Sequence, residues 1–266
     1  MFKPQASHLR SIITISSLAC LGTLSAIAVA QEDNGNAFFS SSASSAPAVV
    51  GNAADPWQAY NRRMFALNDG IDRWFLKPVA KGYVKVLPTP VRTGVRNVFR
   101  NLGEIPSVIN GVLQGNLHSA AYDTTRFLVN STVGIGGIFD VAQRLDLPPT
   151  EYEDFGQTLG YWGFKSGPYV VLPFFGPSTL RDGIARPVDW YTYPTTYIDH
   201  TRTYYSAKGT DLVNLRAQLL PLEESITGDK YEFIRDAYLQ RRTFLINNGE
   251  VDDSFGDDGF DFDDFE

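Results

Sequence analysis

Asp55-Pro56-Trp57-Gln58-Ala59-Tyr60-Asn61-Arg62-Arg63-Met64-Phe65-Ala66-Leu67-Asn68-Asp69-Gly70-Ile71-Asp72-Arg73-Trp74 opens the structured part of the chain. Asp55 can cap a helix and Pro56 suits a first helical turn. Behind them Trp57, Tyr60, Met64, Leu67, Ile71 and Trp74 recur at alternating steps of three and four, while Arg62, Arg63, Asp69 and Asp72 fall elsewhere. That spacing is one stripe of an amphipathic helix. It predicts a helix of about 20 residues, ending before Lys77-Pro78 because a proline disfavours helix in the residue before it.

Further helical stretches follow at Pro90–Arg100, Pro106–Leu113 and Leu117–Asn130, the last with Ala120, Ala121, Thr124, Phe127 and Leu128 on one side. Two more are expected around Asp189–Thr203 and Asp211–Leu220. A final one begins at the capping Asp229, runs through Tyr231, Ile234, Tyr238 and Leu245, and stops at Asn248-Gly249. Between these lie Gly134-Ile135-Gly136-Gly137-Ile138-Phe139-Asp140, which flexes or lets backbones approach closely, and a proline- and glycine-rich region at 145–180. Alternation is confined to short pieces such as Tyr169-Val170-Val171-Leu172. The fold class is therefore mainly α, over residues 55–249.

The flanks differ from this core. Lys3 and Arg10 precede an apolar stretch from Ile12 to Val29, closing with Ala28-Val29-Ala30, which reads as a signal peptide at 1–30. The stretch is also just long enough for an uncleaved anchor. Cys20, the one cysteine, follows Ser17-Leu18-Ala19. It is either a lipidation site or an apolar residue removed with the signal. Residues 31–54, rich in Ser, Ala, Asn and Gly, form a flexible tether. Residues 250–266 hold nine acids and no base, interrupted by Phe255, Phe260, Phe262 and Phe265, and read as an acidic disordered tail. The formal charge of −7 thus divides into +2 in residues 1–30, −9 in the tail and zero over residues 31–249, so the core is close to neutral. Taken as a whole, the negative charge of the chain argues against nucleic acid as a partner.

Signatures of catalysis are missing: no H-E-x-x-H, no G-x-S-x-G, no phosphate-binding G-x-x-x-x-G-K and no cysteine pair. With His118 and His200 as the histidines beyond the signal, a His-rich metal site is not available. Glu151, Glu153 and Asp154 form an acidic cluster, suited to acid–base work or simply to a solvated loop face. Aromatic residues crowd the turn-like segments, including Phe155, Tyr161, Trp162, Phe164, Phe174, Phe175 and Trp190. Trp and Tyr favour a water–lipid boundary, and equally they can pack over a core with many loops.

Several strings resemble the MlaA (VacJ) family in order and spacing: Asp55-Pro56, Asn61-Arg62, Asn68, Asn101-Leu102-Gly103-Glu104-Ile105-Pro106, Leu113-Gln114-Gly115, Arg126-Phe127-Leu128-Val129-Asn130-Ser131, the glycine segment 134–142, Phe155-Gly156-Gln157-Thr158-Leu159-Gly160, the 167–176 run and Thr179-Leu180-Arg181-Asp182. Together with Arg216-Ala217-Gln218-Leu219-Leu220 and 231–250, the likeness spans nearly all of 55–250. It implies a ring-shaped bundle of amphipathic helices in the inner leaflet of the outer membrane, on its periplasmic side. It also implies phospholipid transport that maintains outer-membrane lipid asymmetry: mislocalised phospholipid leaves the outer leaflet through an amphipathic channel and passes to the periplasmic carrier MlaC, with a porin as outer-membrane partner. Neither catalysis nor a cofactor is implied, and a structural outer-membrane protein without transport is the alternative. On this reading Asn61, Ala66, Leu67, Asn68, Gly134, Gly136, Gly137 and Phe139 are expected to line or gate the path. Trp57, Trp74, Trp162, Phe174 and Phe175 are expected at the membrane interface, and Arg235, Arg241 and Arg242 at a partner-docking face.

Overall fold

The computed structural model describes residues 55–223 and 226–247. The signal segment with Cys20, the tether, the stop at Asn248-Gly249 and the acidic tail lie outside the described residues. The first helix, α1 (Gln58–Ile71), is as expected, but its ends are not. No side chain caps its N-terminus. Asp55 is instead buried, its carboxylate accepting from Asn61 Nδ2 at 2.7 Å and from the Tyr231 hydroxyl. Nor does the helix stop at Lys77-Pro78. It widens into a π-turn (Asp72–Leu76) and resumes as α2 (Lys77–Val86), with Pro78 in the first turn of α2. A proline ring crowds the carbonyl four residues back, and a widened turn at that point gives it room.

The two helices expected at 90–100 and 106–113 are one, α3 (Thr89–Leu113), continuous through Pro106. Its partner α4 (Leu117–Thr132), capped by Asn116, packs antiparallel along it. Asn101 meets Ser131 (2.8 Å), Glu104 meets Arg126 (3.1 Å), Ser107 meets Asp123 (2.7 Å) and Gly111 lies against Ala120. A proline forfeits one backbone hydrogen bond; pinned on both sides of Pro106, α3 runs straight past it.

Short helices α5 (Val141–Arg144) and α6 (Phe155–Tyr161) follow, then an antiparallel hairpin of β1 (Tyr169–Leu172) and β2 (Gly176–Thr179). Next comes α7 (Leu180–Thr192), capped by Thr179 Oγ1 accepting from Asp182 N. A 3-10 turn (Pro194–Tyr197) separates it from α8 (Thr201–Gln218), so the helices expected at 189–203 and 211–220 have other boundaries. Extended backbone at Tyr193, before Pro194, ends α7. The chain closes with α9 (Leu220–Glu223) and α10 (Lys230–Ile246), the latter capped as expected by Asp229.

The hairpin is held to α1 by two asparagines. Asn61 donates to Tyr169 O (3.0 Å) and accepts from Val171 N (2.8 Å); Asn68 donates to Leu172 O (3.0 Å) and accepts from Phe174 N (2.7 Å). The spacings match. Seven helical residues rise about 10.5 Å, and three strand residues about 10 Å, so asparagines seven apart meet strand sites three apart. Around this clamp Tyr169, Val171, Tyr231 and Tyr238 form the main apolar cluster, with Met64, Phe65 and Leu239 against it. Among the described residues no helix is long and apolar enough to cross a membrane.

Asn61→Ala would leave the Tyr169 carbonyl and the Val171 amide without their buried partner. We expect a loss of about 3 kcal/mol in unfolding free energy, against no measurable change for Ala66→Ser on the exposed side of α1. Denaturant unfolding in detergent micelles, followed by circular dichroism, reads both.

Candidate functional site

Most of the apolar stripe of α1 points outward, with Met64 turned in against the main apolar cluster. Trp57, Tyr60 and Leu67 are exposed and Trp74 is 89% exposed, whereas Asn61 and Leu76 are buried. The same holds elsewhere. On α7, Ile184, Val188 and Tyr191 are exposed while Arg181, Asp182 and Ala185 are buried. On α4, Leu117 and Leu128 are exposed while Asp123, Arg126 and Asn130 are buried, so the side of α4 carrying Ala121 and Leu128 faces away from the protein. A chain in water buries such stripes. An apolar surface this extensive, turned outward on several helices, marks contact with lipid or with another protein.

The interior is correspondingly polar. Arg126 is 1% exposed and binds Glu104, Asp140 (3.2 Å) and the Leu147 carbonyl. Asn130 donates to Asp140 and accepts from Ala142 N, closing this network. A second network centres on Arg242, which spans Asp154 (2.5 Å) and Asp182 (3.0 Å), with the Tyr238 hydroxyl also donating to Asp182. Arg241 pairs with Glu151, and Glu153 accepts from Gln114. The acidic cluster and two of the three arginines singled out from sequence therefore meet one another inside the fold. The third, Arg235, is also buried, beside Asp236 and Asp55. A third network joins the π-turn to the C-terminal helices: Arg216 holds Asp72 (2.7 Å) and Glu223, and Lys230 holds Asp69 (2.8 Å) and Glu223.

These carboxylates titrate far apart. Burial, with Asp123 nearby, raises Glu104 to about 7 against the opposing pull of Arg126. Glu223 is brought down to about 2 by Arg216, Lys230 and Lys77, which overcome its desolvation.

The glycine segment is a closed turn. Gly136 N donates to Ser131 O, Gly137 N to Asn130 O, and Phe139 N to Gly134 O, while Asn97 donates to the Ile138 carbonyl. A Cβ on Gly134 would collide with the Phe139 and Asn130 carbonyls. One on Gly137, at φ +88°, would stand 2.6 Å from Asn101 Cβ. Gly136, at φ +67°, faces open space.

The sequence-expected path residues thus fall into two groups. Asn61, Asn68, Phe174 and Phe175 gather at the hairpin, with Ala66 and Leu67 on the exposed side of α1. Gly134, Gly136, Gly137 and Phe139 gather where α4 turns back on α3. Of the interface candidates, Trp57, Trp74, Trp162 and Phe174 are exposed and Phe175 packs on Trp190 at 5.7 Å.

Two cavities flank the last turns of α8. One is lined by Thr89, Arg92, Thr93 and Arg96 of α3 and by Asn214, Ala217 and Gln218 of α8. The other has apolar walls including Phe65, Leu76, Phe174, Phe175, Leu219, Leu222, Phe233 and Ile234. Its charged members, Asp69, Asp72, Arg216, Glu223 and Lys230, are those paired in the third network. The two cavities are divided by one helix: 214, 217 and 218 face the first, and 216 and 219 the second.

Residues 53–245 match the profile of the family described as MlaA lipoprotein. The chain belongs to this family. The MlaA lipoprotein of the intermembrane phospholipid transport system of Escherichia coli strain K12 is 35% identical over 210 residues, covering 74% of this chain and 80% of that protein. The corresponding Haemophilus influenzae lipoprotein is 33% identical over 205 residues, covering 75% and 82%. A solved structure from work on the structural basis for maintenance of bacterial outer membrane lipid asymmetry superposes with a TM-score of 0.63. It is 34% identical and covers 73% of this chain and 99% of its own.

The expectations drawn from MlaA strings did not include Arg92 and Arg96, although their four-residue spacing was visible. Two arginines on a helix are ordinary surface, and α8, the opposite wall of their cavity, lies more than 100 residues away.

The turn geometry sets an order of effects. Gly134→Ala and Gly137→Ala should each lower the unfolding midpoint sharply, whereas Gly136→Ala should cost only about 1 kcal/mol for its left-handed backbone. Thermal melts of the three variants in micelles rank them. A second expectation concerns pH. Because the folded chain holds a proton on Glu104 up to about 7, it binds more protons than the unfolded chain between about pH 4.5 and 7. This carboxyl therefore makes stability fall as pH rises through that window. Melting midpoints at pH 5 and 7 should differ less in Glu104→Gln than in the native sequence.

Proposed function

We propose that this chain is the outer-membrane component of a phospholipid transport system that keeps the two leaflets of the membrane asymmetric. It lies in the periplasmic leaflet as a helical ring, takes phospholipid displaced into the outer leaflet, and delivers it to the periplasmic carrier MlaC in company with a porin. The observation that carries this reading is the outward apolar stripe of α1 with polar networks behind it. A helix with a large apolar face and no spanning length lies in an interface rather than crossing it. Family membership supplies the direction of the reading, since the relatives are named as intermembrane phospholipid transport lipoproteins.

Moving lipid through a protein breaks no covalent bond. It asks for polar lining beside the headgroup and apolar lining beside the tails, and the two cavities flanking α8 have those opposite characters. In this reading Trp57, Trp74, Trp162 and Phe174 rest at the boundary of headgroups and hydrocarbon. Asn68, Phe174 and Phe175 line the apolar cavity, and the clamp between α1 and the hairpin holds them together there.

Loss of the gene should leave excess phospholipid in the outer leaflet and sensitivity to detergent combined with chelator, both reversed by a plasmid copy. An unchanged outer leaflet would point instead to a structural protein. Deleting Ala66 and Leu67 turns everything after them by about 200°, which takes Asn68 away from Leu172 and Phe174. Outer-leaflet phospholipid should then depart from normal even with the protein present at native levels. A normal outer leaflet would show that α1 does not control the path.

A further inference from the structure

Glu223, in the four-residue helix α9, is a carboxylate on which three cations converge. Lys77 Nζ and Lys230 Nζ each stand 3.1 Å from its Oε1, and an NH2 of Arg216 donates to its Oε2. The cations come from α2, α8 and the start of α10, so this side chain ties three other helices together. Glu223, Arg216 and Lys230 also line the apolar cavity, beside Leu76, Leu219 and Phe233. A cluster of charge thus borders a cavity whose walls are otherwise apolar.

The neighbouring carboxylates do not depend on Glu223. Arg216 holds Asp72 through bonds of 2.7 and 2.9 Å, and Lys230 holds Asp69 at 2.8 Å, which also pairs with Arg73. Lys77 differs, since Glu223 is its ion-pair partner among the described residues. If the Glu223 side chain turns outward, Asp69 and Asp72 keep their partners, and Lys77, Arg216 and Lys230 face one open anion position. The way out exists: the Glu223 side chain is 19% exposed, against 4% for Arg216. Protonation does not open the position, because desolvation would raise the Glu223 pKa, yet Arg216, Lys230 and Lys77 outweigh it and hold the carboxyl at about 2. Another anion can open it. A phosphodiester carries the same single charge as a carboxylate and likewise offers two free oxygens, so the exchange leaves the charge balance unchanged.

We propose that Glu223 is a placeholder for phosphate: a phospholipid seats an acyl tail in the apolar cavity and its phosphate among Lys77, Arg216 and Lys230, displacing the Glu223 carboxylate into water. The site lies wholly on the apolar side of α8. Without lipid, Glu223 keeps cations away from water paired, which they require. Free phosphate has to outcompete a carboxylate that the chain itself holds in place. A phospholipid succeeds because burial of its tail adds to the exchange. The proposal rests on the phospholipid reading above and adds to it the residues that take the phosphate and the group that yields to it. Inorganic phosphate shares the chemistry, so the test has an arm for each source.

The full chain in micelles of an uncharged detergent is titrated with phosphatidylglycerol, with diacylglycerol of the same chains, and with inorganic phosphate as competitor. The native chain should bind phosphatidylglycerol about 10-fold more tightly than diacylglycerol, and micromolar inorganic phosphate should not displace it. Glu223→Gln supplies the deciding sign. Removing the internal competitor should tighten phosphatidylglycerol binding about fivefold, with diacylglycerol unchanged, even as the melting midpoint without lipid falls. Lys77→Gln with Lys230→Gln should bring phosphatidylglycerol to within about threefold of diacylglycerol. A network that serves folding alone gives the opposite sign for Glu223→Gln: a less stable chain that binds phosphatidylglycerol equally or more weakly. That result overturns the proposal. Should Glu223→Gln not fold, Glu223→Asp, which draws the same charge back by one methylene, reads the same sign. Equal binding of the two lipids by the native chain also overturns it, as does displacement by micromolar inorganic phosphate, since the site would then read the free anion. The transport reading is scored separately by outer-leaflet phospholipid in cells. If the native gene restores asymmetry while Glu223→Gln binds no more tightly, the exchange fails and the transport reading stands. If the native gene does not restore it, the transport reading fails whatever the sign in micelles.

Discussion

Arg126 is the residue on which the helical hairpin of α3 and α4 turns. Its guanidinium, buried between the two helices, satisfies Glu104 on α3, Asp140 after the glycine turn and the carbonyl of Leu147. Taking such a charge out of water is expensive unless each donor finds an acceptor. In a water-soluble bundle, buried leucines would hold the same two helices together. Where the outer surface faces hydrocarbon, an apolar side chain gains little by moving inward, and association falls to close packing and hydrogen bonds. The seam from Asn101–Ser131 to Gly111–Ala120 is built of those two things. The same logic accounts for Arg242 between Asp154 and Asp182, and for Arg216 between Asp72 and Glu223.

This inversion decides what could be read from the residues alone. Periodicity identified α1 as a helix and its stripe as apolar, because spacing is a property of the backbone. It could not say which side faces the protein, since that depends on the solvent. For α4 the side expected from sequence held Ala120, Ala121, Thr124, Phe127 and Leu128; of these Ala120 packs inward with Asp123, Arg126 and Asn130, while Ala121 and Leu128 face out. Prolines misled in the same direction. Pro78 and Pro106 carry the usual signal for a helix end, and in both places tertiary contacts override it: Arg216 grips the π-turn through Asp72, and the α3–α4 seam brackets Pro106. The capping pair Thr179 and Asp182 was available in the sequence and marks the true start of α7.

The near-neutrality of the core has a structural meaning. Arginines from the C-terminal half meet carboxylates from Asp55, Asp72, Glu151 and Asp154, so many of the core's charges cancel in contact. A body facing lipid can carry charge only in this form, because an unpaired ion costs several kcal/mol away from water. Arg241 and Arg242, expected at a docking face together with Arg235, are instead paired with Glu151 and Asp154; sequence shows charge without showing its partner. The loop that supplies Glu151 and Asp154 lies about 90 residues away.

Two cavities with walls of different chemistry lie on either side of α8. Arg126, Arg216 and Arg242 each face at least two carboxylates. The smaller cavity, at the start of α3, is lined by Arg92, Arg96, Asn214 and Gln218. A single helix, α8, separates it from an apolar cavity whose charges are paired. Because side chains at 214, 217 and 218 leave one side of that helix and those at 216 and 219 the other, one turn sets a polar environment within about 10 Å of an apolar one. A phospholipid has its phosphate and its tails about as far apart. In the proposed path, the boundary that lipid must find inside the protein is a helix with two faces, the same device that α1 uses to find the boundary outside it.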